Sequence, residues 1–193
     1  MRLAISGTHC SGKSTLVDGF LLAHPNYVHE PEPYVQLEQL YGESFPEEPS
    51  ADEFLRQLEY HIERVVKYGS DDFVIFERCA LDFVAYLQAL IDLKKDTADP
   101  GILKSAVELT QGIIGSLDII AYLPANGSDI YVPEDEDRRL RSAVDRSLER
   151  LLMDDEAGML SSGSPVVLEV FGTTRQRLEM IEASIAAFNA ESL

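Results

Sequence analysis

The chain has 193 residues, 45% of them apolar and 26% charged, with 34 acidic against 16 basic side chains and a formal net charge of −18. Such a length and composition fit one soluble globular domain with its own core, and the negative charge disfavours nucleic acid and anionic membrane surfaces, so neither is expected as a partner. No run of about 18 apolar residues is present to cross a bilayer, the first strand begins too early to leave room for a signal peptide, and Cys10 and Cys79 are expected as free thiols, so the expected setting is cytoplasmic.

The first predicted element is a short apolar strand, Arg2–Ser6. It runs into Gly7-Thr8-His9-Cys10-Ser11-Gly12-Lys13-Ser14, which reads G-x-x-x-x-G-K-S. Apolar residues at helical spacing follow from Thr15 to Leu22. Strand, glycine-rich turn and helix are the setting in which this pattern, the Walker A motif, cradles the phosphates of a nucleoside triphosphate. Gly7 and Gly12 let the backbone curl so that loop N–H groups point inward at phosphate oxygens. The helix adds its positive N-terminal end. Lys13 is expected at the β- and γ-phosphates, Ser14 on Mg²⁺ and Thr15 at the α-phosphate. The whole stretch, with Thr8, His9, Cys10 and Ser11, is the expected cradle for ATP or another nucleoside triphosphate. His9 occupies a position that most residue types tolerate and is expected to be incidental to the chemistry.

The second strand, Tyr27–Glu30, leads into Pro31-Glu32-Pro33-Tyr34. Ligand crevices in open α/β sheets lie at the carboxyl ends of the strands. Glu30 is therefore expected to face a phosphoryl acceptor and to take the proton from its hydroxyl. Glu32 is the second carboxylate with a claim to that role, and Tyr34 is placed to stack on a ring. The Glu- and Pro-rich stretch Gly42–Pro49 joins two helical segments. A helix predicted over 51–68 opens with the capping box Ser50-Ala51-Asp52-Glu53 and turns Phe54, Leu55, Leu58, Ile62 and Val65 to the core. Gln57, His61 and Arg64 share its opposite face. Such a face is most often solvated; if it lines the acceptor pocket instead, Gln57 reads a base or amide edge.

The third strand, Phe73–Phe76, is followed by Glu77-Arg78. An acid at the end of a strand beside a phosphate loop takes the Walker B position, so Glu77 is expected at Mg²⁺, directly or through water. Arg78 is expected at a phosphate or at the acceptor's sugar. A helix over 81–93, another from about Asp99 to Gly115 and a fourth strand, Ile119–Leu123, come next. The segment 126–137 holds Gly, Pro and acids, and it leads into a helix over 137–153 that opens with Arg138, Arg139 and Arg141. Five of the sixteen Lys and Arg residues lie between Arg138 and Arg150. The stretch 126–141 is accordingly expected to be a lid that brings an arginine, with Arg138 and Arg141 as candidates, to the moving phosphoryl group. A fifth strand, Val166–Val170, and a helix over 174–190 end the chain. No Cys/His cluster has zinc spacing. Strands alternating with helices predict one α/β domain over 1–193, with a five-stranded parallel sheet and helices on both faces.

In this order the motifs resemble the P-loop nucleoside kinases: the phosphate loop, a strand ending in Glu30-Pro31, a helix bearing Gln57, a strand followed by Glu77-Arg78, and an Arg-rich helix. The resemblance implies the sheet order 2-3-1-4-5, Mg·ATP as donor and a nucleoside-like small molecule as acceptor. In deoxynucleoside kinases the Glu before Pro serves as base and the Glu-Arg pair serves metal and phosphate, roles that would pass to Glu30, Glu77 and Arg78. Residues Glu77 to Tyr86 are also similar to the D-R-x-x-L-D-x-x-A-Y stretch of the ribosylnicotinamide kinase-like AAA domains, with Glu77 where that group usually has Asp. Asp118–Pro124 and Asp137-x-x-x-Arg141-x-x-x-Asp145 resemble the same group. The implied reaction is transfer of the γ-phosphoryl of Mg·ATP to a nucleoside-like hydroxyl. The rival is a nucleotide-binding regulator with slow hydrolysis and no small-molecule acceptor. A dedicated GTPase is not expected, since there is no N-K-x-D motif and the D-x-x-G at Asp155–Gly158 comes too late in the chain.

Overall fold

The computed structural model describes residues 1–45, 48–69, 72–95, 100–125, 132–134, 136–160 and 165–191. Five strands, β1 (Arg2–Gly7), β2 (Val28–Glu30), β3 (Val74–Glu77), β4 (Ile119–Leu123) and β5 (Val166–Glu169), form one parallel sheet in the order β2-β3-β1-β4-β5. The helices are α1 (Lys13–Ala23), α2 (Pro33–Tyr41), α3 (Ala51–Lys67), α4 (Ala80–Leu93), α5 (Pro100–Gln111), α6 (Arg138–Leu152) and α7 (Thr174–Glu191). This is the predicted architecture and strand order. No helix among the described residues is long and apolar enough to cross a membrane.

Alternation along the strands divides the core in two. Ala4, Phe76, Ile120 and Tyr122 belong to the cluster that α3, α4, α5 and α6 cover. Leu3, Ile5, Ile75, Ile119, Ala121 and Leu123 belong to the cluster closed by α1 and α7. Register sets Ile5 beside Glu77 and Gly7 beside Leu123, so the carboxyl ends of β1, β3 and β4 meet along one edge. That edge is where the phosphate loop leaves the sheet.

Local signals set the boundaries. Ser50 Oγ accepts from the Glu53 N–H at 3.3 Å, the first half of the predicted capping box, a cap worth about 1 kcal/mol. Helix α2 is the helical segment predicted before Gly42 without bounds. Pro33 starts it, with no N–H to lose at a first-turn position, and Gly42 ends it in a left-handed conformation, φ 64°. The helix predicted to reach Gly115 stops at Gln111, and the chain continues into a 3₁₀ turn over Ile114–Ser116. The expected start at Asp99, residues 46 and 47 of the Gly42–Pro49 stretch, and 126–131 and 135 of the expected lid lie outside the described residues.

The face of α3 expected to meet solvent does not. Gln57 is 4% and His61 3% exposed. His61 packs edge-on against Phe76 and tilted over Phe83, with ring centroids 5.7 and 5.9 Å apart. Helix α4 is the reason. Its residues from Ala80 to Leu87 are all buried, and a helix apolar on every side needs neighbours on every side. It therefore lies between α3 and α6 and covers the polar face of α3.

Candidate active site

Between β1 and α1 the loop turns in conformations that only certain residues tolerate. Gly7 has φ 152°, and a Cβ there would lie 2.8 Å from both Leu123 O and Ser11 Oγ. Gly12, at φ 87°, caps α1, and Cys10 sits in the left-handed region at φ 53°. Residues His9 to Thr15, with Glu32, line a hollow of about 280 Å³. Opposite lies a cavity of about 620 Å³, walled by Tyr34, Phe54, Gln57, Phe83 and Tyr86 and by charged side chains from α3, α6 and the loops. His9 lines both spaces.

Lys13 is buried, and its Nζ donates to Thr8 O at 2.9 Å and pairs with Glu32 Oε1 at 3.2 Å. Burial, and then the charge of Arg78, hold its pKa below the ordinary value; Glu32 pulls the other way. The second oxygen of Glu32 meets Arg78 Nε at 3.2 Å. Burial works to raise the Glu32 pKa, but Arg78 and Lys13 outweigh it and hold the carboxyl at about 2. Arg78 follows β3 with φ 83°, a left-handed conformation that costs a non-glycine residue energy and is typical of functional sites. Its guanidinium is 2% exposed, donates to Gly7 O at 3.1 Å and lies 5.3 Å over the Tyr86 ring. Burial opposes its charge, but Glu32, Tyr86 and Asp82 together raise its pKa.

Asp82 anchors this group from below. Fully buried, it accepts from the Gly7 N–H at 3.0 Å and the Cys79 N–H at 2.9 Å, and it lies 3.4 Å from Arg78 Nη1. One carboxylate thus ties the start of the phosphate loop, the start of α4 and the buried arginine together. Neither Cys79 nor Cys10 forms a disulfide. Ser14 Oγ donates to Glu77 Oε1 at 2.6 Å, and Glu77 Oε2 is 3.7 Å from His29 Nε2. Hydroxyl and carboxylate oxygens of this kind suit a hard cation; no cluster of three or more His, Cys, Asp or Glu that could hold a metal occurs among the described residues.

Glu30 is not at this junction. Its carboxylate takes a forked pair of hydrogen bonds from Arg64, Nε at 2.9 Å and Nη2 at 2.5 Å, and a third from the Tyr68 hydroxyl. Burial raises its pKa, but Arg64 and Tyr68 outweigh that and the net direction is down. The physical reason is chain geometry. Glu30 is the last residue of β2 and turns toward α3. Glu32 comes after the Pro31 turn, at the N-cap of α2, and reaches over the sheet edge to Lys13. Of the two carboxylates singled out in the sequence, the second is the one at the phosphate loop.

The His9 backbone is held at the junction of the two spaces. Its N–H donates to the Tyr86 hydroxyl at 3.2 Å, and its carbonyl accepts from Arg141 Nε at 3.0 Å. The protein packed around its inner side first, then the Arg78 charge, lower its pKa, so the imidazole is neutral near pH 7 although the side chain keeps an exposed edge. Tyr34 and Gln57 both line the larger cavity. Tyr34 donates to Glu38 at 2.9 Å. Arg141 lines the cavity, whereas Arg138 and Arg139 are exposed and lie outside its wall. Asp137 caps α6 through the Arg139 and Leu140 N–H groups and is ion-paired with Lys95.

Sequence reasoning assigned no role to Asp82 or Arg177. Asp82 lies three residues after Cys79, the spacing of a helix-start carboxylate, which was a readable signal. Arg177, on α7, reaches Ser11 O at 3.3 Å across 166 residues of chain, and nothing local announces it.

A family model described as an AAA domain matches residues 2–147. No curated protein matches the chain. Among solved structures, deoxyadenosine kinase from M. mycoides with the products dCMP and a flexible dCDP bound is similar over 97% of this chain and 100% of that one, at 15% identity and TM-score 0.66. The same kinase with bound dATP gives 96%, 100%, 15% and 0.63. With bound dCTP it gives 97%, 100%, 15% and 0.57. At this identity the likeness is one of fold, that of the P-loop nucleoside kinases.

Proposed function

The chain belongs to the AAA domain family, and from that footing we propose that it is a kinase that moves the γ-phosphoryl group of ATP to a hydroxyl of a nucleoside-like small molecule. The observation that carries this reading is the Glu32 carboxylate, held 3.2 Å from Lys13 Nζ and 3.2 Å from Arg78 Nε. Glu32 lines the phosphate-loop hollow, and its partner Arg78 lines the aromatic cavity beside it.

The loop N–H groups and Lys13 hold the donor phosphates. The acceptor lies in the larger cavity with its hydroxyl toward Glu32. Its oxygen forms a bond to the γ-phosphorus, the bond to the β,γ-bridging oxygen breaks, ADP leaves with those electrons, and the hydroxyl proton passes to Glu32. Glu32, rather than Glu30, is the base in this account. Lys13 turns from Glu32 to the phosphates when nucleotide binds. That removes one of the two cations that depress the carboxyl, and Glu32 becomes a better proton acceptor at the moment it is needed. Arg78 and Arg141 supply positive charge to the transferring group. Ser14 and Glu77 would hold Mg²⁺, whose charge offsets that of the phosphate oxygens.

The test is product formation. Incubation with Mg·ATP and a panel of ribo- and deoxyribonucleosides, followed by mass spectrometry, is expected to show a nucleoside monophosphate. Lys13→Ala should abolish it while the unfolding transition stays cooperative. Slow ATP hydrolysis with no phosphorylated acceptor would favour the regulator instead.

A further inference from the structure

Two side chains that line the larger cavity, Glu53 and Arg141, each carry a buried polar atom without a hydrogen-bond partner, a costly state. Glu53, in the first turn of α3, accepts from Gln57 Nε2 through Oε1 at 3.3 Å, while its Oε2 is buried with no hydrogen-bond partner. A buried acceptor left unmatched gives up its water without compensation. The lysine and arginines of this cavity are engaged elsewhere. Lys95 is paired with Asp137, Arg78 with Glu32 and Asp82, and Arg141 Nε with His9 O. Tyr34, Phe54, Phe83 and Tyr86 line the same cavity as Glu53, with Phe54 stacked on Tyr86 at 4.5 Å between ring centroids. Aromatic walls of this kind suit a planar ring, and a donor on the edge of that ring is what the Glu53 oxygen lacks.

Deepening the kinase reading on which it rests, we infer that Glu53 selects acceptors whose ring turns an exocyclic amine toward the start of α3, and rejects those that present a carbonyl there. The opposite pole of the cavity orients the same ligand. Arg141 Nη2 is buried without a hydrogen-bond partner, a donor on the side where His9 meets the phosphate loop. The ligand therefore lies with its amine at Glu53 and its oxygen-rich sugar end at Arg141. Burial raises the Glu53 pKa, and the nearby Ser50 N–H offsets only part of that rise. A carbonyl in the amine's place would set two acceptors against each other.

Matched probes differ in that one group: cytidine against uridine, and adenosine against inosine. Titration calorimetry of each into the protein saturated with a non-hydrolysable ATP analogue and Mg²⁺ is expected to favour the amine member of at least one pair by about 10- to 100-fold, the cost of an unmatched buried polar group. Glu53→Gln keeps the shape and the backbone cap, which uses the Glu53 N–H. It offers an amide that can turn either way, and it should cut the preference to within about threefold, with nucleotide affinity unchanged as the control for folding. Equal binding of amine and carbonyl members overturns the inference and leaves the kinase reading standing. A preference that survives in Glu53→Gln overturns the role of Glu53. If no nucleoside binds while the ATP analogue does, both the inference and the kinase reading fall.

Discussion

Asp82→Ala isolates the interaction on which the site's geometry depends most. The carboxylate satisfies two buried backbone donors, the Gly7 and Cys79 N–H groups at 3.0 and 2.9 Å. Alanine leaves both without a partner, at about 1–3 kcal/mol each. Arg78 loses a contact at 3.4 Å but keeps Glu32 and Gly7 O, so no bare charge remains. The sum is about 4 kcal/mol. For a domain of this size that lowers the melting temperature by about 8–16 °C. Asp82→Asn keeps one acceptor and should lose about half as much. Urea denaturation followed by circular dichroism gives the difference directly. Nucleotide affinity should fall as well, because the first glycine of the loop is released. A loss below about 1 kcal/mol in Asp82→Ala would refute the view that this one carboxylate holds loop, helix and arginine together.

Two further outcomes follow from the site's electrostatics. The Glu32 carboxyl is held at about 2 against an ordinary 4.5. Its contribution to stability is thus present above pH 4.5 and disappears as the pH falls toward 2. The stability difference between wild type and Glu32→Gln should shrink over that window, and parallel profiles would contradict the ion pairs with Lys13 and Arg78. Arg141 lines the cavity while Arg138 does not. Arg141→Ala should slow transfer about 100-fold, with Arg138→Ala within a few-fold of wild type; equal effects on steady-state rate would remove the distinction.

The parts of this protein legible in its sequence are those set by local chemistry. The phosphate loop, five short apolar strands and the capping box at Ser50 each depend on neighbours within a few residues. The sheet order came from resemblance, since parallel strands far apart in sequence leave no local mark of which pair. What the sequence left open depends on packing between distant elements. His61 and Gln57 look like solvated residues on an amphipathic helix, until α4, apolar on every side, covers them. The strand end read from the sequence, Glu30, is the observed one. What the sequence does not carry is the direction of each carboxylate: Glu30 turns to Arg64 on α3, and Glu32, past Pro31 at the N-cap of α2, turns to Lys13. Arg177 comes from α7, and only the folded sheet brings it to the loop.

The account turns on which of two neighbouring carboxylates faces the acceptor, and a single paired measurement addresses it. Single-turnover phosphoryl transfer to an acceptor found in the nucleoside screen should be compared in Glu32→Gln and Glu30→Gln, with ATP affinity measured alongside. Glu32→Gln should slow transfer by about 10²–10⁴-fold, the usual worth of a positioned base, with ATP affinity changed by little. Glu30→Gln should weaken the hold of Arg64 and Tyr68 on β2 and lower stability, yet transfer within a few-fold of wild type. The reverse pattern, slow transfer in Glu30→Gln and near-normal transfer in Glu32→Gln, would contradict the assignment of Glu32 and the geometry on which the proposed function rests.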